Sequence, residues 1–89
     1  MREFVVDLEN ADSFQMFIDA FNQGFCEQVS GHWGGRSWDA FHDYLSWPEE
    51  EHFRLTFIGW RDCRGISSKD RQMLKTIFDD NPHVEIHLT

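Results

Sequence analysis

The residues of this 89-residue chain best suited to chemistry lie in one stretch, Trp33-Gly34-Gly35-Arg36-Ser37-Trp38-Asp39-Ala40-Phe41-His42-Asp43-Tyr44-Leu45, a glycine loop feeding a helical pattern. Asp39 and Asp43 are four apart and share one helix face, where like charges repel by about 0.2–0.5 kcal/mol. Asp39 regains part of this from the positive helix start; Asp43 is farther from it. Two readings are open. The pair is either two solvated surface acids or a docking surface for a cationic site, flanked by Trp33, His42, Tyr44 and Trp47. Aromatic side chains beside desolvated charges are a typical hot-spot composition. Trp33 serves equally well as a core ring that closes the glycine loop, because Trp is highly buried on average. Tyr44 and Trp47 can seal the core margin in the same way.

Catalysis and metal binding fit these residues poorly. Adjacent helix positions 42 and 43 diverge by about 100°, so Asp39, His42 and Asp43 do not converge on one atom. His83 and His87, placed on a strand, stand about 13 Å apart, too far for one metal ion. Cys26 and Cys63 lack metal spacing, and there is no GxSxG, HExxH or phosphate loop with its Lys. No enzyme activity, cofactor or metal is expected.

The elements that must position this stretch follow from periodicity. Residues 3–8 place Phe4, Val6 and Leu8 on one side and Val5 opposite, which predicts a strand. Phe14, Phe17, Ile18, Phe21 and Phe25 recur at helical spacing, with Asp12 and Gln15 positioned for a capping box. Ser37 is placed to cap a short helix over 38–46, which buries Trp38, Phe41 and Leu45, turns Asp39 and Asp43 outward and ends at Pro48. Residues 53–58 and the alternation of Val84, Ile86 and Leu88 predict two more half-buried strands. Between them Ser67 or Ser68 can cap a helix with Met73, Leu74, Ile77 and Phe78 inward, stopped by Asn81-Pro82. Strands joined through helices imply right-handed parallel crossovers, hence an α/β domain with a three-stranded parallel sheet. Polar Arg54, Thr56, Glu85 and His87 in the strands imply helices mainly on one sheet face.

Composition sets the limits. Surface scaling for a chain this size buries about two-thirds of its surface, enough for one domain over 1–89 without staples. Nine Phe and four Trp argue against disorder. Eight basic against 16 acidic residues give a net charge of −8. This excludes a phosphate-neutralising surface for nucleic acid or anionic membrane. There is no run of 18 apolar residues and no basic-then-apolar start, so the expectation is a cytoplasmic protein with reduced thiols.

The stretch 33–45 resembles the barstar family, the intracellular inhibitors of barnase-like ribonucleases. The matching pattern is an aromatic, a Gly two residues later, then a helix of the form Asp-Ala-hydrophobic-x-Asp-x-Leu, here Trp33, Gly35, Asp39, Ala40, Phe41, Asp43 and Leu45. The likeness extends in order through the other strands and helices. It implies a small α/β fold with a three-stranded parallel sheet, and insertion of the second helix and its preceding loop into a cationic ribonuclease site. By this resemblance Asp43 is the most deeply inserted acid and Asp39 the acid one turn earlier. His42 stands where the family has a contact Trp, Trp33 where it has a contact Tyr, and Gly35 is the loop glycine. Ser37 replaces an Asn, Ser46 sits at a Thr contact position, and Asp80 matches an acid near the end of the last helix. A second acid one turn later has no counterpart in Asn81-Pro82-His83. These departures suit a ribonuclease toxin other than barnase, including an effector neutralised by a cognate immunity protein. The implied partner is a basic ribonuclease bound 1:1 by a chain that is monomeric when free. A second reading keeps the acidic face and makes the chain a regulator or assembly partner of another basic protein.

Overall fold

The computed structural model describes residues 2–46 and 52–89, so Trp47, Pro48 and the acidic run 49–51 lie outside the described residues. The elements occur in the expected order: β1 (Arg2–Asp7), α1 (Phe14–Gly24), α2 (Trp38–Ser46), β2 (Phe53–Ile58), α3 (Ser68–Asp79) and β3 (Val84–Leu88). A 3-10 turn over Cys26–Val29, which periodicity does not reveal, follows α1. The strands form one parallel sheet in the order β1-β2-β3.

Register explains the burial. Phe4 pairs with Leu55 and Leu55 with Ile86, while Val6 pairs with Phe57. Phe4, Val6, Leu55 and Phe57 are buried beneath the helices. The alternate residues lie on the other face, where Arg54 binds Glu3 through Nη1 (2.5 Å) and Glu85 through Nε (2.6 Å), a charge row spanning all three strands. The Arg54 hydrogen bond holds the Glu85 carboxyl below its usual range. A polar row on one face and an apolar one on the other is what a sheet covered on one side requires.

The helices depart from expectation in two details. Ser13, not Asp12, caps α1: its extended backbone lets Oγ accept from the Met16 N–H (3.2 Å). Gln15 instead donates to Asp19 one turn on (2.9 Å), so the expected Asp12–Gln15 box does not form. In α3, Ser67 and Asp70 make a full capping box. That helix buries Leu74 and Ile77 but leaves Met73 41% exposed. With no further layer beyond α3, its inward stripe is narrower than the apolar residues suggested.

The core is aromatic. Phe21 stacks on Phe41 at 4.3 Å and Phe25 on Phe53 at 5.4 Å, tying α1 to α2 and to the sheet. Both cysteines are buried free thiols. Burial pushes the Cys26 thiol up to about 12 from 9.0, with nearby Glu27 adding to the effect and the Trp33 backbone opposing it. A thiol whose folded value lies above its unfolded one contributes stability that is complete below pH 9 and is lost as pH rises toward 12. Chemical unfolding across that window should therefore show the wild type losing more stability than Cys26→Ala.

Candidate functional site

Helix α2 turns its acids outward because its other side is taken by the core. Phe41 and Leu45 are fully buried, Trp38 and Tyr44 are half-buried, and Asp39 and Asp43 are exposed. Ser37 starts the helix as expected: its Oγ accepts from the N–H groups of Asp39 (3.1 Å) and Ala40 (3.4 Å). Each bond satisfies a donor that the first turn would otherwise leave unpaired.

The loop before α2 is held from inside. Asn22, buried in α1, donates through Nδ2 to the Trp33 carbonyl (2.8 Å) and accepts through Oδ1 from the Trp33 N–H (2.6 Å). Losing a partner of this kind leaves buried groups unsatisfied at about 1–3 kcal/mol each. The Trp33 ring is 2% exposed. It meets Phe14, Phe17, Phe21, Trp38 and Phe41 at centroid distances of 5.1–6.2 Å. Its Nε1–H donates to the Ser37 carbonyl (3.0 Å). The ring therefore offers no surface to a partner, which corrects the contact role that the resemblance implied for it. Trp33 fixes the loop from below instead. Gly35 completes the turn at φ +78°, and a Cβ there would stand 2.1 Å from Ile18 Cδ1, so both conformation and space demand glycine.

The far end of α2 is fastened to the segment after α3 by a chain of polar contacts. Asn81 donates through Nδ2 to the Ile77 carbonyl (2.8 Å), which leaves Oδ1 as acceptor for the Ser46 hydroxyl (2.6 Å). With its proton given to Asn81, Ser46 Oγ accepts from His42 Nδ1 (3.2 Å). The other ring nitrogen of His42 faces Asp80 Oδ2 at 3.6 Å. His83 Nε2 bonds the Leu45 carbonyl (2.8 Å), supporting the last turn of the same helix. An acid, an imidazole and a hydroxyl in a row suggest a nucleophile and its base. The Ser46 proton, however, points to Asn81 rather than to His42, so the row is a clasp between α2 and α3.

The structure thus gathers Gly35, Ser37, Asp39, His42, Asp43, Ser46 and Asp80 around α2 and its loop, and places Trp33 beneath them. Trp47 is outside the described residues. Among the described residues no group of three or more His, Cys, Asp and Glu side chains is arranged to hold a metal ion. His83 lies just before β3, not on it, and its ring faces α2. Sequence reasoning missed Asn22, although a lone Asn four residues after Ile18 and three before Phe25, on a buried face, is a readable sign of a buried polar clamp. It read Asn81 only as a helix stop.

No match is found among curated proteins or among solved structures. The family model described as Barstar (barnase inhibitor) matches residues 1–84 of the 89. With the match spanning nearly the whole chain and the parallel three-stranded fold in agreement, the chain belongs to the barstar family.

Proposed function

We propose that this chain is a non-catalytic inhibitor of a basic ribonuclease or ribonuclease toxin, acting in the cytoplasm as a 1:1 plug. The observation that carries this reading is the exposed Asp39 and Asp43 pair on a helix whose loop is pinned by Asn22 and Trp33 and whose far end is clasped to Asn81. Barstar family members are inhibitors rather than enzymes. Ribonuclease sites concentrate Arg, Lys and His to hold phosphate, and carboxylates placed on those cations make short, charge-assisted hydrogen bonds while shutting RNA out. Because the loop and helix are ordered before contact, little is lost in arranging them at the interface. A net charge of −8 speeds encounter with a basic enzyme, an effect that salt screens. The contact set is Gly35, Ser37, Asp39, His42, Asp43, Ser46 and Asp80, with Asp43 at its centre.

Competition with RNA tests the reading. A ribonuclease that binds this chain should release an uncleavable RNA oligonucleotide as the chain is added, and the complex should weaken as salt rises. A ternary complex of ribonuclease, RNA and chain would overturn active-site plugging. A salt-sensitive complex with a different basic protein, with every ribonuclease unaffected, would favour the regulator reading of the same face.

A further inference from the structure

We infer that the chain pairs with a second copy of itself through the free edge of β3, the two strands running antiparallel with Ile86 of each at the two-fold axis. This departs from the free monomer that the family resemblance implied. The ladder decides which backbone groups face outward. The Phe53 N–H bonds the His83 carbonyl (3.4 Å) and the Thr89 N–H bonds the Phe57 carbonyl (3.1 Å), so the odd-numbered residues of β3 point to β2. Val84, Ile86 and Leu88 therefore turn their backbone groups away from the sheet. The Val84 N–H is taken by the Asn81 carbonyl (3.0 Å). Among the described residues nothing bonds the Val84 carbonyl, the Ile86 N–H and carbonyl, or the Leu88 N–H. Beside this edge Ile86 is half-buried and Leu88 is 41% exposed. The opposite edge of the sheet is closed, since the end of α1 lies so near β1 that a Cβ on Gly24 would collide with the Val5 carbonyl oxygen. An open edge with apolar side chains next to it is a template for another strand.

The strand that fits this edge is β3 itself, reversed. An axis normal to the sheet keeps both helix layers on one side and sets Val84 against Leu88, Glu85 against His87 and Ile86 against Ile86. The open groups then meet their complements. The two Ile86 residues exchange N–H and carbonyl, and each Leu88 N–H reaches the Val84 carbonyl of the other copy, so the occupied Val84 N–H is not needed. On the helix-bearing face, Ile86 and Leu88 gain apolar neighbours. On the polar face, Glu85 and His87 form a non-hydrogen-bonded pair, the kind in which side chains stand closest, and their chemistry is complementary. An imidazole N–H serves a carboxylate whether the ring is neutral or protonated. Glu85 already binds Arg54, which binds Glu3, so the charge row of the sheet runs on across the axis into His87 of the second copy. Charge also fixes the register. A slip of two residues sets Glu85 against Glu85 or His87 against His87, which loses both mixed pairs and brings like groups face to face.

Sedimentation equilibrium over a rising concentration series tests the pairing, in about 0.15 M salt so that the mutual repulsion of two chains of charge −8 is screened. One short strand pair buries less than the roughly 1,200–2,000 Å2 of a stable interface, so association belongs to concentrated solution. There the mass should climb from 10.6 kDa toward twice that value. His87→Lys should bring association to a several-fold lower concentration, and His87→Glu should abolish it, both at an exposed position away from the core. Register is read by a cross-link. A hydrogen-bonded antiparallel pair sets its Cα atoms about 5.5 Å apart, within disulfide reach, so Ile86→Cys should form a linked dimer with oxidised glutathione. Val5→Cys, 51% exposed but on the closed edge, should link far more slowly, and the native thiols are buried. A mass of one chain at every concentration, association undiminished in His87→Glu, or linking of Ile86→Cys no faster than that of Val5→Cys would each overturn the pairing.

Discussion

Asp43→Ala is expected to weaken the complex with the target ribonuclease more than any other single surface change, while the free protein stays as stable as before. Removing one partner of a desolvated, hydrogen-bonded charge pair costs about 2–5 kcal/mol, because the cation left behind is buried without its counter-charge. That is about thirtyfold to several thousandfold in Kd. The barnase–barstar pair is the reference case for such coupling, so the magnitude comes from the family rather than from the geometry of this chain. Free stability should hold because Asp43 is exposed and has no counter-charge within its own helix face. Losing it even relieves the repulsion with Asp39, about 0.2–0.5 kcal/mol on an open helix. Asp39→Ala should weaken the complex less, since that carboxylate sits one turn closer to the loop. Calorimetric titration of both variants against one ribonuclease, beside thermal melts of the free proteins, checks the ranking. Equal affinity of wild type and Asp43→Ala would remove Asp43 from the contact.

Trp33→Ala should destabilise the free protein by about 3–5 kcal/mol, the usual cost of emptying a large aromatic site. The variant loses five ring contacts and the Nε1–H bond to the Ser37 carbonyl, the bond that joins the core to the helix start. Native domains of this size are stable by only about 5–15 kcal/mol, so a large share of the total is at stake. The thermal midpoint should fall by roughly 4–8 °C for each kcal/mol. Binding should weaken as well, but through the loop: the affinity lost by Trp33→Ala should return in part with Trp33→Phe, which refills most of the site. A midpoint within a degree or two of wild type would show that the ring is not the support the structure makes it.

Where the sequence was legible, a strong local period did the work. The limits of α2 and β2 coincide with the spans their patterns predict, and β1 begins one residue earlier than its pattern suggests. Phe4, Val6 and Leu8 are buried and Val5 is 51% exposed, as alternation requires. The outward position of Asp39 and Asp43 followed from the same helical arithmetic, since Phe41 and Leu45 leave them no other direction.

What was not legible depends on partners far along the chain. Trp33 admits two roles in sequence because its type suits both a core and an interface; only the convergence of α1 and α2 on its ring decides between them. The clasp joins Ser46 to Asn81 and His83 to Leu45 and brings His42 beside Asp80, pairs 35 to 38 positions apart, a separation no local period can report. The cap of α1 shifted from Asp12 to Ser13 because both residues are good caps, and the backbone geometry that chooses between neighbours is set by the turn from β1. Met73 shares its helical face with buried residues but lies at the margin of a stripe whose width is fixed by what packs against it.

The central claim is that an acidic helix on a pinned loop closes the active site of a ribonuclease. It is tested most directly by following RNA cleavage by a panel of barnase-like and effector-type ribonucleases as this chain, or its Asp43→Ala variant, is titrated in. The account predicts that cleavage by at least one of them falls to zero at one equivalent of wild type and persists with the variant. Full cleavage across the panel at excess wild-type protein, or equal inhibition by both proteins, would contradict it.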